Sequence, residues 1–169
     1  HQKVIEESPS PAVDHQLRQA MGDAAVTAAK AVDYIGAGTV EFMLSPKGDF
    51  YFLEMNTRLQ VEHPVTEMTT GIDIVQKQFE VAAGLQLGIA QSDVGMSGHA
   101  IEARIYAEDA SKGFLPVVGR LALWKPPHGP GIRVDSGVRQ GDVVTTDFDP
   151  MLAKLVVHAP TRQAALRRL

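Results

Sequence analysis

Glu54-Met-Asn-Thr-Arg-Leu-Gln-Val-Glu-His-Pro-Val-Thr-Glu67 is the stretch from which the rest of this 169-residue chain is read. Polar side chains fall at every second position, Glu54, Asn56, Arg58, Gln60 and Glu62, with Met55, Thr57, Leu59 and Val61 between them. Successive side chains of extended backbone point to opposite sides, so the spacing predicts one face made of carboxylate, amide and guanidinium. The preceding Phe50-Tyr-Phe-Leu53 is apolar and aromatic and reads as the strand leading into it. Gly38-Thr-Val-Glu-Phe-Met-Leu44 reads as an earlier strand, and Ser45-Pro-Lys-Gly-Asp49 as a tight connection. With Ser45 set opposite Phe50, the hairpin brings Glu41 opposite Glu54, their Cβ atoms about 5 Å apart. Facing carboxylates repel unless a cation lies between them. With Asn56 on the same face, they form a set of hard oxygen ligands suited to Mg²⁺ or Mn²⁺ carrying nucleotide phosphates. The plainer alternative is an exposed strand edge with a solvated polar face.

The length allows one ordinary domain or two small ones, and 44% hydrophobic residues is normal for a folded protein. A net charge of −4 leaves no basic footprint for nucleic acid. The absence of cysteine excludes a disulfide framework and thiolate metal sites. All apolar runs are short of the roughly 20 residues that span a bilayer. No nucleic-acid or membrane partner is therefore expected.

Along the chain, Ser8-Pro-Ser-Pro11 breaks a strand-like opening, and Asp14 is placed to cap a helix running to about Tyr34. Leu17, Met21, Ala25, Ala28 and Val32 recur at helical spacing along it. Thr66 to Gly71 reads as a turn or short helix. Asp73 caps a further helix through Ala83, with Ile74, Val75, Gln78, Phe79 and Ala82 as its apolar stripe. Beyond a boundary near Gly98 the texture becomes that of short strands, at 99–106, 119–124, 131–136 and 152–158. A helix over 162–169 closes the chain. The class is α+β, with an α+β first part and a mostly antiparallel β second part.

The 54–68 stretch resembles the signature of biotin carboxylase, an ATP-grasp enzyme. The likeness runs in order through His1-Gln-Lys-Val-Ile-Glu-Glu7, Gly36-Ala-Gly-Thr-Val-Glu-Phe42, Gly98-His-Ala-Ile-Glu-Ala-Arg104 and Asp149-Pro-Met-Leu-Ala-Lys154. The wording Ala103-Arg-Ile-Tyr-Ala-Glu-Asp109 is most similar to acyl-CoA carboxylases of the 3-methylcrotonyl-CoA type. The resemblance implies the C-terminal half of an ATP-grasp fold over 1–98, followed by an incomplete biotin carboxylase C-terminal domain over 99–169. It also makes the chain an internal fragment, expected to lack carboxylase activity by itself.

The resemblance implies a role for each matching residue. Glu62 is the general base that deprotonates bicarbonate, and Arg58 keeps it ionised and grips the anion. A planar guanidinium meets a planar oxyanion in two parallel bonds, which Lys cannot do. Gln60 and the Val61 N–H supply further bicarbonate contacts, and Lys3 lies near bicarbonate and the transferred phosphate. His1, Lys3, Glu41, Met43 and Glu54 face ATP, and Glu41, Glu54 and Asn56 hold the metal. Arg104 stabilises negative charge developing on biotin's ureido oxygen. The substrates and cofactors implied are ATP, Mg²⁺ or Mn²⁺, bicarbonate and carrier-bound biotin. The partners implied are a biotin carboxyl carrier, a carboxyltransferase subunit and a second copy of the parent, in the cytoplasm or the mitochondrial matrix.

Each residue has a plainer reading beside this one. Arg58–Glu62 would be a surface ion pair worth about 0–1 kcal/mol. Lys3 would be a solvated lysine, Met43 core, and Arg104 an edge-strand charge that discourages aggregation. His63-Pro64 is read as shaping the loop, and Asp147 to Asp149 as a turn before Pro150. The alternatives for the whole chain are another ATP-grasp ligase, of carbamoyl-phosphate or carboxylate–amine type, and a non-catalytic assembly module.

Overall fold

The 38–56 segment forms a hairpin whose register departs from the simplest pairing and then recovers it. Leu44 lies opposite Phe50, not Ser45, and the pairs Met43–Tyr51 and Phe42–Phe52 come next. The ladder then shifts, so that Glu41 faces Glu54 and Thr39 faces Asn56. Leu53 is the extra residue of this β-bulge, which bends the strand and re-aims the residues beyond it. The expected carboxylate pair therefore forms from a different turn register, with the bulge making up the one-residue difference.

The structure, a computed structural model, describes residues 3–169, so His1 and its expected contact with ATP lie outside the described residues. The helices and strands are β1 (Ile5–Ser8), α1 (His15–Ala31), β2 (Thr39–Leu44), β3 (Phe50–Asn56), α2 (His63–Thr70) and α3 (Ile74–Ala82). Next come β4 (His99–Tyr106), β5 (Glu108–Asp109), β6 (Leu115–Pro116), β7 (Gly119–Arg120) and β8 (Ile132–Ser136). The chain ends with β9 (Val143–Val144), β10 (Met151–Ala159) and α4 (Arg162–Arg168). Two compact units result, one of residues 9–96 and one of the described residues up to Ser8 together with 97–169.

In the 9–96 unit, the Asp14 carboxylate accepts the Leu17 N–H at 2.8 Å and starts α1, as its position before the periodic run requires. The helix stops at Ala31, short of Tyr34, because Asp33 takes a left-handed φ of 49° and turns the chain. That turn lets the Tyr34 hydroxyl donate to the Ala37 carbonyl at 2.7 Å. Gly38 fits beneath the Tyr34 ring, where a Cβ would come within 2.9 Å of the ring and 3.1 Å of the Asn56 carbonyl. The α1 stripe is half-buried from Leu17 to Ala28, while Val32 is exposed. Asp73 caps α3 by accepting the Gln76 N–H at 2.7 Å. Phe79, expected on its buried stripe, is 74% exposed.

The other unit is built on an antiparallel sheet in the order β1-β4-β10-β8. On one face Ile101, Val157 and Ala159 pack with Ala165 of α4, flanked by Ile132 and Ala164. Gly98 enters this sheet at φ 69°, and a Cβ there would meet the His158 ring and the Ala159 carbonyl within about 2.6 Å, a position that demands glycine. The strand expected over 119–124 is confined to Gly119–Arg120, paired with Val143–Val144 in β9.

Candidate active site

The two facing carboxylates of the hairpin are bridged by an amide. The Asn56 Nδ2 donates to Glu41 Oε1 and to Glu54 Oε1, each at 3.0 Å. Gln60 Nε2 also donates to Glu41 Oε1, at 2.7 Å. Asn56 Oδ1 in turn accepts from the Arg58 guanidinium at 3.2 Å, and Arg58 donates to the Leu59 carbonyl at 3.2 Å. Each amide N–H placed between the carboxylates occupies a position where positive charge is favourable, which is the electrostatic condition for a cation. The donor set, two carboxylates and an amide oxygen available by rotation, is all hard oxygen and fits Mg²⁺. Among the described residues no three His, Cys, Asp or Glu side chains gather into a metal-holding group. Two carboxylates are what a cation shared with phosphate oxygens needs, in place of a full protein cage.

The alternating face predicted over 54–62 does not extend that far. Strand β3 ends at Asn56, residues 57–62 leave the ladder, and α2 begins at His63. Arg58, Gln60 and Glu62 are thus not aligned by a pleat; Gln60 reaches the Glu41 carboxylate directly, and Arg58 reaches the Asn56 amide that bridges the pair. Glu62 stands at the N-cap of α2 with its carbonyl accepting the Val65 N–H at 3.3 Å. Val61 and Glu62 are half-buried. The helix expected at 66–71 starts three residues earlier, because Pro64 is suited to a first turn whose N–H groups have no intrahelical partner. Met43 is 62% exposed, so it is not a core residue of this unit.

In the sheet unit, Arg104 lies on the inner strand β4, flanked by β1 and β10, which removes the edge-strand explanation. Its N–H donates to the Val4 carbonyl at 3.0 Å, and its guanidinium lies 3.5 Å from Glu6. Lys154 is its ladder partner. That like-charge neighbour is offset by Asp135, 3.5 Å from Lys154 and held by Arg133 in two bonds of 2.8 and 2.9 Å. Burial acts to raise the Asp135 pKa, but Arg133 and Lys154 together bring it below its ordinary value. Lys3 is exposed, in the same unit. Asp149 accepts the Met151 N–H at 2.8 Å, which fits a turn before Pro150.

Residues 1–90 match the family model of the carbamoyl-phosphate synthase L chain ATP-binding domain, and residues 102–169 match that of the biotin carboxylase C-terminal domain. This chain belongs to the biotin carboxylase family. Methylcrotonoyl-CoA carboxylase subunit alpha from Rattus norvegicus is 56% identical over the whole chain, which spans 24% of that protein. Biotin carboxylase 1 from Populus trichocarpa is 53% identical, again over the whole chain and 32% of the relative. The biotin carboxylase domain of Hydrogenobacter thermophilus 2-oxoglutarate carboxylase superposes with a TM-score of 0.96 at 46% identity. It covers 99% of this chain, which spans 37% of it, and was solved as a dimer with MgADP, ADP and bicarbonate. The fold is the C-terminal half of an ATP-grasp fold followed by a mostly antiparallel biotin carboxylase C-terminal domain. The chain spans about a quarter to a third of the curated relatives it matches.

Sequence reading missed one polar cluster of this biotin carboxylase chain. Glu7 accepts His99 Nε2–H at 2.7 Å and takes two bonds from Arg162, at 2.7 and 3.1 Å, tying β1, β4 and α4 together. Arg162, and then His99, hold the Glu7 carboxyl below its usual range against the opposing effect of burial. The partners are 92 and 155 residues apart, so no local pattern could have paired them.

Proposed function

We propose that this chain is the part of a biotin carboxylase that binds metal–ATP and bicarbonate and carries the base for bicarbonate activation. The observation that carries the reading is the Glu41–Asn56–Glu54 bridge joined by Gln60, with the Arg58–Glu62 loop next to it in the chain. Glu62 takes the bicarbonate proton as a bicarbonate oxygen attacks the γ-phosphorus of ATP, the bond to ADP breaks, and carboxyphosphate forms. Arg58 holds the anion in two parallel bonds, with Gln60 and the Val61 N–H orienting it and Lys3 near the transferred phosphate. Glu41 and Glu54, with the Asn56 amide rotated to present its oxygen, would hold Mg²⁺ or Mn²⁺. When bound, the ion neutralises phosphate charge and orients the β- and γ-phosphates. Carboxyphosphate collapses to CO₂ and phosphate; biotin N1′ passes its proton to that phosphate and attacks the CO₂ carbon, forming the N–C bond of carboxybiotin. Arg104 meets the negative charge that then develops on the ureido oxygen.

The domain division proposed with this function falls near Gly98, between 1–98 and 99–169. The C-terminal family match supports this reading over a carbamoyl-phosphate ligase. Carrier-bound biotin, a carboxyltransferase and a second copy of the chain are the proposed partners. The compartment proposed is the cytoplasm or the mitochondrial matrix, the rat relative being mitochondrial and the poplar one chloroplastic. Among the described residues no helix is long and apolar enough to cross a membrane.

Glu62→Gln in the full-length protein tests this. The amide keeps shape but removes the base, so bicarbonate-dependent ATP cleavage should fall by roughly 10²–10⁴-fold while ATP binding persists. Turnover at the parental rate would overturn the assignment.

A further inference from the structure

Residues 57–62 carry most of the anion-handling groups, yet they belong to neither helix nor strand. At their start they are anchored by the Asn56 pairing with Thr39. At their end the anchor is His63. The Gln60 carbonyl receives two bonds from this one residue, from the backbone N–H at 3.3 Å and from ring Nδ1 at 2.8 Å. A carbonyl oxygen only accepts, so the Nδ1 atom carries the proton. The opposite ring nitrogen, Nε2, lies 3.9 Å from the Glu67 carboxylate, and the His63 side chain is 12% exposed. Glu67 is itself 9% exposed, and its other oxygen accepts the Ile74 N–H at 2.8 Å, at the start of α3. A continuous line of contacts thus runs from the α3 N-terminus through Glu67 and His63 to the Gln60 carbonyl. On the far side of Gln60, the side chain donates to Glu41.

From this geometry we infer that His63 is a positioning residue for bicarbonate. Its Nδ1–H clamps the Gln60 carbonyl and so sets the peptide from which Gln60, Val61 and Glu62 reach the anion. The inference rests on the function proposed above and adds to it the part that holds the loop. His63 touches neither bicarbonate nor nucleotide in this scheme. Its removal lets the loop drift, and a shift of about 1 Å at a reacting group costs on the order of 10²-fold in rate.

The test uses the full-length protein with His63→Ala, His63→Asn and His63→Gln, alongside Glu62→Gln. The Asn amide nitrogen falls where Nδ1 was, whereas that of Gln falls nearer Nε2. His63→Ala should raise KM for bicarbonate and lower kcat of bicarbonate-dependent ATP cleavage about 10–100-fold, with KM for ATP near parental. His63→Asn should recover most of this loss and His63→Gln little of it, which keeps the comparison usable even if the Ala variant folds poorly. Parental bicarbonate kinetics in His63→Ala would overturn the inference. So would equal impairment of the Asn and Gln variants with matching drops in Tm, which marks a general structural role. If Glu62→Gln turns over normally, the underlying reading of the site fails; if Glu62→Gln is inactive and His63→Ala is normal, only the positioning role fails.

Discussion

The two compact units differ in what holds them together. In the sheet unit, Ala100, Ile101, Val156, Val157, Ala159 and Ala165 are all at most 1% exposed, and β4 and β10 supply most of that core. In the 9–96 unit, α1 and α3 contain no buried residue, and those of α2 are Pro64, Val65, Glu67 and Thr69. Met43, Tyr51, Phe52 and Leu53 of its hairpin are each more than half exposed. The candidate metal and bicarbonate residues sit in this second, thinly packed unit, ordered by hydrogen bonds among polar side chains. Groups that must meet charged ligands cannot be sealed in an apolar core, so their geometry is carried by polar networks. Arg104 shows the other solution: a charge on an inner strand of the packed unit, oriented by the sheet itself.

The largest expected effect breaks this comparison if it fails. Ile101→Ala should destabilise the chain by about 2–5 kcal/mol in chemical denaturation, since it empties a site that is 1% exposed. Phe79→Ala on α3 should stay within about 0.5 kcal/mol, its ring being 74% exposed. Equal losses would mean that the 9–96 unit is packed as tightly as the sheet.

A smaller change should separate function from packing. Glu54→Gln removes one of the two facing carboxylates at an exposed position, so Tm should hardly move. The Mg²⁺ concentration for half-maximal ATP cleavage in the full-length protein should rise at least ~10-fold, the low end of losses seen even for indirect metal partners. Unchanged metal dependence would remove Glu54 from the metal set.

The smallest effect belongs to the Glu7 cluster. Its folded pKa lies below the ordinary 4.5, so its ionised form contributes stability above that pH, and the contribution is lost as pH falls through the lowered value. Glu7→Gln should therefore be less stable than the parent at pH 7, by no more than about 1 kcal/mol because Arg162 is half exposed. The gap should close as the pH drops below 4.5. A gap that persists unchanged in acid would show that the cluster acts through shape and not charge.

Local sequence was enough to determine most elements of this protein and the side chains that pair at its candidate site. Asp14 and Asp73 start helices because a short side-chain acceptor before a periodic run satisfies an N–H that the helix cannot. Glu41, Glu54 and Asn56 could be matched because a hairpin pairs residues close in sequence, and the 54–68 wording is specific to one family. Only the tertiary structure decided the rest. The bulge at Leu53 restored a register that the turn had shifted, and β3 ended at Asn56 where alternation alone would have carried it to Glu62. Periodicity reports which side a residue would face if the backbone stayed extended, but not whether it does. Likewise the Arg104 strand became an inner one, and Glu7 met His99 and Arg162, because sheet order joins segments about 90 to 155 residues apart. Such contacts are selected by burial of the whole sheet, a free energy that no short window of sequence contains.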